Sequence, residues 1–254
     1  MKLIFLGSGT SQGVPMLGCD CYVCRSNNPK NKRLRASVLI KTDSEKNILI
    51  DCGTDFRQQA LRIGLQSLNA VLLTHSHADH VFGLDDIRPF NNKQKQSIPI
   101  YLSEYTLKKL KQTYHYAFDP DTQIGGGLPQ YLIDVFDHDF KVDDILFQPI
   151  LVKHGRENVW GFRFNDLAYI TDCKSIPEGS LSKLYGLNTL IVSAIWFRKH
   201  ETHMNIQEAL QLLQKLKPKK TYFTHITHHL DHDLVQSILP ENVYLAYDGL
   251  ELEV

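Results

Sequence analysis

Apolar and β-branched residues cluster in short runs along the whole chain, at 2–7, 36–42, 47–53, 70–75, 98–102, 145–152, 159–164, 167–173, 189–194, 220–225 and 243–249. Runs of this length, separated by turn residues, predict strands. Between some of them the spacing changes to helical, over Asp55–Ile63, Ser103–Tyr114 and Asn205–Leu216; Ile206, Ala209, Leu210 and Leu213 keep one face of the last. Asn205 is an N-cap for that helix, with Glu208 three residues later as its capping-box partner. The early half reads as hairpin-like strands and the late half as strand alternating with helix. Two packed sheets with helices outside are therefore expected, rather than one doubly wound parallel sheet.

No repeat or linker divides the 254 residues, so a single domain over 1–254 is expected, with a Cys-rich, zinc-binding insert near 18–35. The stretch "HYAFDPDTQIGGGLPQ" (115–130) reads as a long surface loop and a candidate lid.

Lys plus Arg (28) equal Asp plus Glu (28), so no broad nucleic-acid or membrane footprint is expected. The short apolar start "MKLIFLG" lacks a signal peptide's core, and the chain reads as cytoplasmic. Five Cys, three of them in "CDCYVC", argue for thiols kept reduced or held by metal. Twelve His are the more unusual feature.

Four donors crowd into "LLTHSHADHVFG": His75, His77, Asp79 and His80. Strand alternation would send His75 and His77 to one side. A helix beginning near Ala78 would make Asp79 and His80 diverge towards a second ion. A His-rich polar loop is the bland alternative, and four donors in six positions after a strand weigh against it. Three further strand ends supply His154 ("ILVKHGRE"), Asp172 ("LAYITDCK") and His225 ("TYFTHITHH"). Each alone reads as an ordinary residue. Together the seven form a nitrogen and oxygen set suited to Zn, Mn or Fe.

The stretch "THSHADHVFGL", with "ILIDCG" before it and His154, Asp172 and His225 after it, resembles the T-H-x-H-x-D-H signature of the metallo-β-lactamase superfamily. That resemblance implies an α/β fold, the αββα four-layer sandwich, with two divalent metals on one rim. It also implies that His75, His77 and His154 hold one metal, that Asp79, His80 and His225 hold the other, and that Asp172 bridges them. A carboxylate suits ions about 3.5–4 Å apart.

Cys19, Cys21 and Cys24 make a C-x-C-x2-C array, three ligands of a structural zinc site. His228 is the expected fourth, with His229 and His232 as competitors. Cys52 and Cys173 should face the core as small apolar fillers. The combination of "GSGTSQGVP", the cysteine array and "THITHHLD" is similar to the cyclic phosphodiesterase branch of the superfamily, that of the phosphoribosyl 1,2-cyclic phosphate phosphodiesterases of phosphonate breakdown. Other branches fit less well. Di-iron flavoproteins usually carry Glu where His77 stands, and the β-lactamases proper usually carry Cys where Asp172 stands. Long-form tRNA-processing nucleases have a basic arm that this balanced chain lacks.

The function expected is hydrolysis of a small phosphate ester, with two cations lowering the pKa of a shared water to give a hydroxide nucleophile. The resemblance assigns a His at the position of His203 to phosphate contact and general-acid work, with His200 as its rival. Asp79 would orient the water. A nuclease or a thioester or lactone hydrolase could use the same site, and a zinc-binding module without catalysis is a third reading. The resemblance also implies a homodimer, which no apolar stripe in the sequence independently demands.

Overall fold

The computed structural model describes residues 1–123, 125 and 127–254. Its fourteen named strands are β1 (Lys2–Gly7), β2 (Ser37–Lys41), β3 (Asn47–Ile50), β4 (Ala70–Leu72), β5 (Ile98–Leu102), β6 (Tyr131–Val135), β7 (Phe140–Val142), β8 (Ile145–His154), β9 (Glu157–Phe164), β10 (Leu167–Ile170), β11 (Thr189–Ser193), β12 (Lys220–Thr224), β13 (Val243–Leu245) and β14 (Glu251–Glu253). They form two seven-stranded sheets, ordered β14-β1-β2-β3-β4-β5-β6 and β13-β12-β11-β10-β9-β8-β7.

Each sheet begins antiparallel and finishes parallel: β1 to β3 then β3 to β6 in the first, β7 to β10 then β10 to β13 in the second. The contrast expected between a hairpin half and an alternating half is therefore replaced by one layout used twice. The final strand, β14, returns to pair with β1.

Alternation along the strands builds the layers. Leu3 and Phe5 of β1 face inward with Val38, Ile50, Phe147, Phe162 and Tyr169, all fully buried between the sheets. Ile4 and Leu6 face the other way, against Phe56 and Ala60 of the helix Phe56–Arg62 and Leu110 of the helix Glu104–Thr113. On the second sheet Ile170, Val192 and Phe223 face outward to Ile206 and Ala209 of the helix Ile206–Leu216. The result is the αββα sandwich.

All three expected helices are present within a residue or two of their predicted bounds, and Asn205 with Glu208 forms the capping box. β6, β7 and β14 are additional to the expected strands: β6 reads Tyr-Leu-Ile-Asp-Val on a largely exposed edge, β7 has three residues, and β14 reads Glu-Leu-Glu. Within 115–130 the helix His115–Phe118 precedes irregular chain, and the lid expectation falls partly on Ile124 and Gly126, outside the described residues. Among the described residues no helix is long and apolar enough to cross a membrane.

Candidate metal centre

β4 stops at Leu72, because Thr74 turns away from the sheet: its N–H and hydroxyl donate to the Asp51 carboxylate at 2.9 and 3.0 Å. His75 and His77 therefore sit on a turn and not on a continuing strand, which corrects the alternation expected for them. They still converge, with ring centroids 4.5 Å apart. His77 ends the turn, and the one-turn helix Ala78–Val81 carries Asp79 and His80. Their side chains meet rather than diverge: His80 Nε2 is 3.1 Å from Asp79 Oδ2 and 3.1 Å from Asp172 Oδ2.

The turn is seated by close backbone contact. Cys52 N–H donates to the His80 carbonyl at 2.8 Å, and Gly83 N–H to the Cys52 carbonyl at 2.9 Å. A Cβ on Gly53 would stand 1.9 Å from the Asp79 carbonyl oxygen, and one on Gly83 would stand 2.0 Å from that of Gly53.

The second sheet supplies the remaining donors from three strand exits. His154 closes β8, Asp172 lies two residues beyond β10, and His225 directly follows β12. Asp51, Asp172 and His225 all adopt left-handed backbone, with φ of 64°, 49° and 58°. That conformation is uncommon for residues with a Cβ, and it swings each side chain off the strand's alternation. Asp172 Oδ1 lies 3.3 Å from His225 Nε2 and 3.8 Å from His203 Nδ1.

Three sets of donor atoms, each within 4.8 Å of one another, result: His75, His80 and Asp172; Asp79, His80 and His225; and His154, Asp172 and His203. His77 belongs to none of these sets, although its ring is 5.3 Å from that of His154. Its Nε2 contacts Glu157 Oε2 at 3.1 Å. The other histidines are also held from behind. Thr74 Oγ1 is 2.9 Å from His75 Nδ1, Asp51 Oδ2 is 2.7 Å from His80 Nδ1, and the Thr202 carbonyl is 3.0 Å from His154 Nδ1. Outer partners of this kind leave the opposite ring nitrogen for a cation. Among the described residues the buried Nε2 of His75 and of His80 finds no aligned hydrogen-bond partner. Buried polar atoms are normally satisfied, so this orphaned, nitrogen-and-oxygen set fits divalent metal.

Burial would raise the Asp172 carboxyl, but His225 and His80 outweigh it and hold it well below the usual range. Burial also depresses His80, and Asp79, Asp51 and Asp172 overcome that to hold it well above the ordinary imidazole range. His203 goes the other way: burial, reinforced by His225, pushes it down to about 3.

The second cluster lies beside the first. Cys19 and Cys21 Sγ are 3.2 and 3.4 Å from His228 Nδ1, and with Cys24 Sγ these atoms fall within 4.8 Å of one another. All three thiols are free of disulfides. Three sulfurs and one imidazole at this separation fit a closed tetrahedral zinc set. His229 instead packs on Trp196, and His232 is buried against Tyr247. Cys21 is brought down to about 6, because the Cys24 N–H and His228 outweigh its burial, whereas burial pushes Cys24 up to about 11. Cys52 and Cys173 are fully buried in the two outer apolar layers, as expected.

Four supporting residues escaped the sequence reading. Asp51 stood in the quoted "ILIDCG", where an acid directly after an apolar strand is the signal. Thr74 precedes the first His, while Glu157 faces His154 across the β8–β9 hairpin and has no local signal. Arg33 is only 1% exposed and donates to the carbonyls of Thr227 (3.0 Å) and Leu230 (2.8 Å) and to Asn31 Oδ1 (3.0 Å). It ties the segment carrying His225 and His228 to the chain just after the cysteines.

Two sheets with histidine and carboxylate donors gathered on one rim define a metal-site αββα protein. A model of the beta-lactamase superfamily domain matches residues 46–226, and the chain belongs to the metallo-β-lactamase superfamily, whose members are typically metal-dependent hydrolases that bind divalent metals such as zinc. Within it the chain stands close to the PhnP family. The crystal structure of a new diphosphatase from the PhnP family is 41% identical, superposes with a TM-score of 0.92, and is matched over 99% of this chain and 96% of that one. Zinc-bound PqqB from Methylobacterium extorquens shares the fold at a TM-score of 0.83 and 19% identity, over the full length of both chains. A curated relative from Porphyromonas gingivalis, named octanoyltransferase, is 39% identical over 253 residues, 99% of this chain and 51% of that protein. The chain thus spans about half the length of that relative.

Proposed function

We infer that the chain is a metal-dependent phosphodiesterase acting on small, cyclic phosphate esters, with two divalent cations (Zn, Mn or Fe) at the rim and one structural zinc on Cys19, Cys21, Cys24 and His228. The observation that carries this reading is His203, a half-buried imidazole whose buried Nδ1 has no hydrogen-bond partner among the described residues and whose ring stacks on His225 at 5.0 Å. It puts a proton carrier beside the gathered donors. The name of the 41% identical neighbour, a diphosphatase, supports phosphate chemistry.

In this reading His75, His77 and His154 hold one cation, Asp79, His80 and His225 hold the other, and Asp172 reaches both. Bound there, the cations supply Lewis acidity, lowering the pKa of water and neutralising phosphate charge. Asp79 accepts a hydrogen bond from the attacking water and orients it. As the phosphorus–oxygen bond breaks, the leaving alkoxide takes a proton from His203. That histidine is neutral in the free site, where burial and His225 hold it down to about 3. An anionic phosphate beside it favours the imidazolium, so protonation accompanies substrate binding.

The test is His203→Ala assayed on a cyclic phosphodiester whose leaving group is an alkoxide, with metal content measured in parallel. Turnover should fall by about 10²–10⁴-fold with metal retained. Unchanged turnover would remove the acid role. Loss of one metal would make His203 a ligand with His154 and Asp172, whose donor atoms it neighbours. A second reading, thioester hydrolysis, draws on the acyl-transfer name of the half-matched relative, and an acyl thioester belongs in the same assay series.

A further inference from the structure

A cleft of about 620 Å³ lies next to His77, between the turn of the β8–β9 hairpin, the start of the helix Glu104–Thr113 and Phe136 just beyond β6. Its volume is that of a small-molecule site. Two contacts join it to the metal centre. Glu157 lines the cleft and touches His77 at 3.1 Å, and Trp160 lines it while its backbone N–H donates to the Thr74 carbonyl at 3.0 Å.

The walls combine aromatic rings with hydrogen-bonding groups. Trp160 is half-buried and held edge-to-face by Phe136, with centroids 5.4 Å apart and planes at 84°. Tyr105 lines the same cleft and is 54% exposed. Lys153 and Arg156 contribute two positive charges against three negative ones from Glu104, Asp137 and Glu157. A wall with more carboxylates than cations does not favour a second phosphate. Carboxylates, the Asn158 amide nitrogen, whose oxygen already accepts from Lys153 Nζ at 2.6 Å, and the Arg156 guanidinium, which has no ion-pair partner among the described residues, instead suit the donor-and-acceptor edge of a flat heterocycle, whose faces suit the aromatic rings.

We propose that this cleft is the specificity subsite for the organic group of the ester and takes a nucleobase, with Trp160 and Tyr105 as its stacking surfaces and Arg156 reading the ring edge. The proposal rests on the phosphate-ester reading of the neighbouring centre, which would hold the phosphoryl group. A bare sugar or an alkyl chain would offer those faces only C–H contacts and lacks the planar, hydrogen-bonding edge that the polar wall suits.

The experiment is calorimetric titration of the zinc-loaded protein with AMP, ribose 5-phosphate and inorganic phosphate. AMP should bind at least tenfold more tightly than ribose 5-phosphate. Tyr105→Leu and Trp160→Leu should each cut that margin below threefold; the exposed position of Tyr105 keeps the test usable should Trp160→Leu disturb packing on Phe136. Equal binding of AMP and ribose 5-phosphate by the native protein, or an unchanged margin in Tyr105→Leu, would overturn the subsite. Turnover of bis-(p-nitrophenyl) phosphate by the same preparation reports separately on the phosphodiesterase reading, since its absence would sink that reading while the AMP margin still judges the cleft.

Discussion

The rim cluster and the cysteine cluster differ in how their donors are held. At the rim, donors from two sheets converge on strand ends and short turns, and outer partners such as Asp51, Thr74 and the Thr202 carbonyl fix the rings from behind. In the cysteine cluster three donors fall within six residues of one loop, and a single imidazole closes the set. An open arrangement of rigid donors leaves room for a substrate, whereas a closed four-donor set leaves none. The two are joined by one segment, His225 to His228, so both clusters share a support.

Independent loading would sharpen this contrast, and shared loading would break it. The largest effect is expected for Asp172→Ala, which removes the carboxylate shared by His80, His203 and His225. If the rim holds the two proposed cations and the cysteine set one, elemental analysis should fall from three metals per chain to one, with the proposed hydrolysis at background. Retention of all three would show that the clusters do not divide as described.

Next is Arg33→Met, which leaves the Thr227 and Leu230 carbonyls without their buried donor. Losing charged hydrogen bonds of this kind costs about 3 kcal/mol, or about 6–12 °C in Tm for a chain of this size. The metal of the cysteine set should exchange faster than those of the rim. Equal loss from both would mean that the shared segment governs the two centres alike.

The smallest effect is expected at Glu208. It receives an ion pair from Lys174, two residues after Asp172, and the Asn205 N–H at the start of the helix that follows His203. Burial opposes its ionisation, but Lys174 and the Asn205 N–H hold its pKa below the ordinary 4.5. A depressed carboxyl contributes stability that is fully present above the unfolded value and is lost as pH falls through the folded one. Glu208→Gln should therefore cost about 0.5 kcal/mol at neutral pH, since the pair is partly screened by solvent. The difference from native should begin to shrink as acid melts pass below pH 4.5 and vanish only once the pH lies below the lower pKa of the folded state. A constant difference across that range would assign the effect to helix packing instead.

The strand-rich interior and the gathering of His and Asp at one rim were legible because the sequence places apolar runs and then His or Asp at their ends, although His77 joins none of the donor sets there. What alternation could not convey was the direction of the donors. Asp51, Asp172 and His225 leave their strands in left-handed backbone, and β4 ends two residues before Thr74, so periodicity stops where the site begins. The edge strand β14 was invisible for a different reason: a strand half in water needs few apolar residues, and this one has a single Leu between two Glu. Glu157 and Arg33 act across long sequence separations, with no local pattern to mark them.

Gly53 and Gly83 bear on how far the ligand turn can be altered. The turn rests on its neighbour main chain to main chain, at separations that exclude even a methyl group. Its address in the molecule is therefore written in two missing side chains rather than in any contact that a compensating mutation elsewhere could rebuild. A library that diversifies residues 74–83, or a graft of this turn onto another scaffold, has to carry both glycines as one unit.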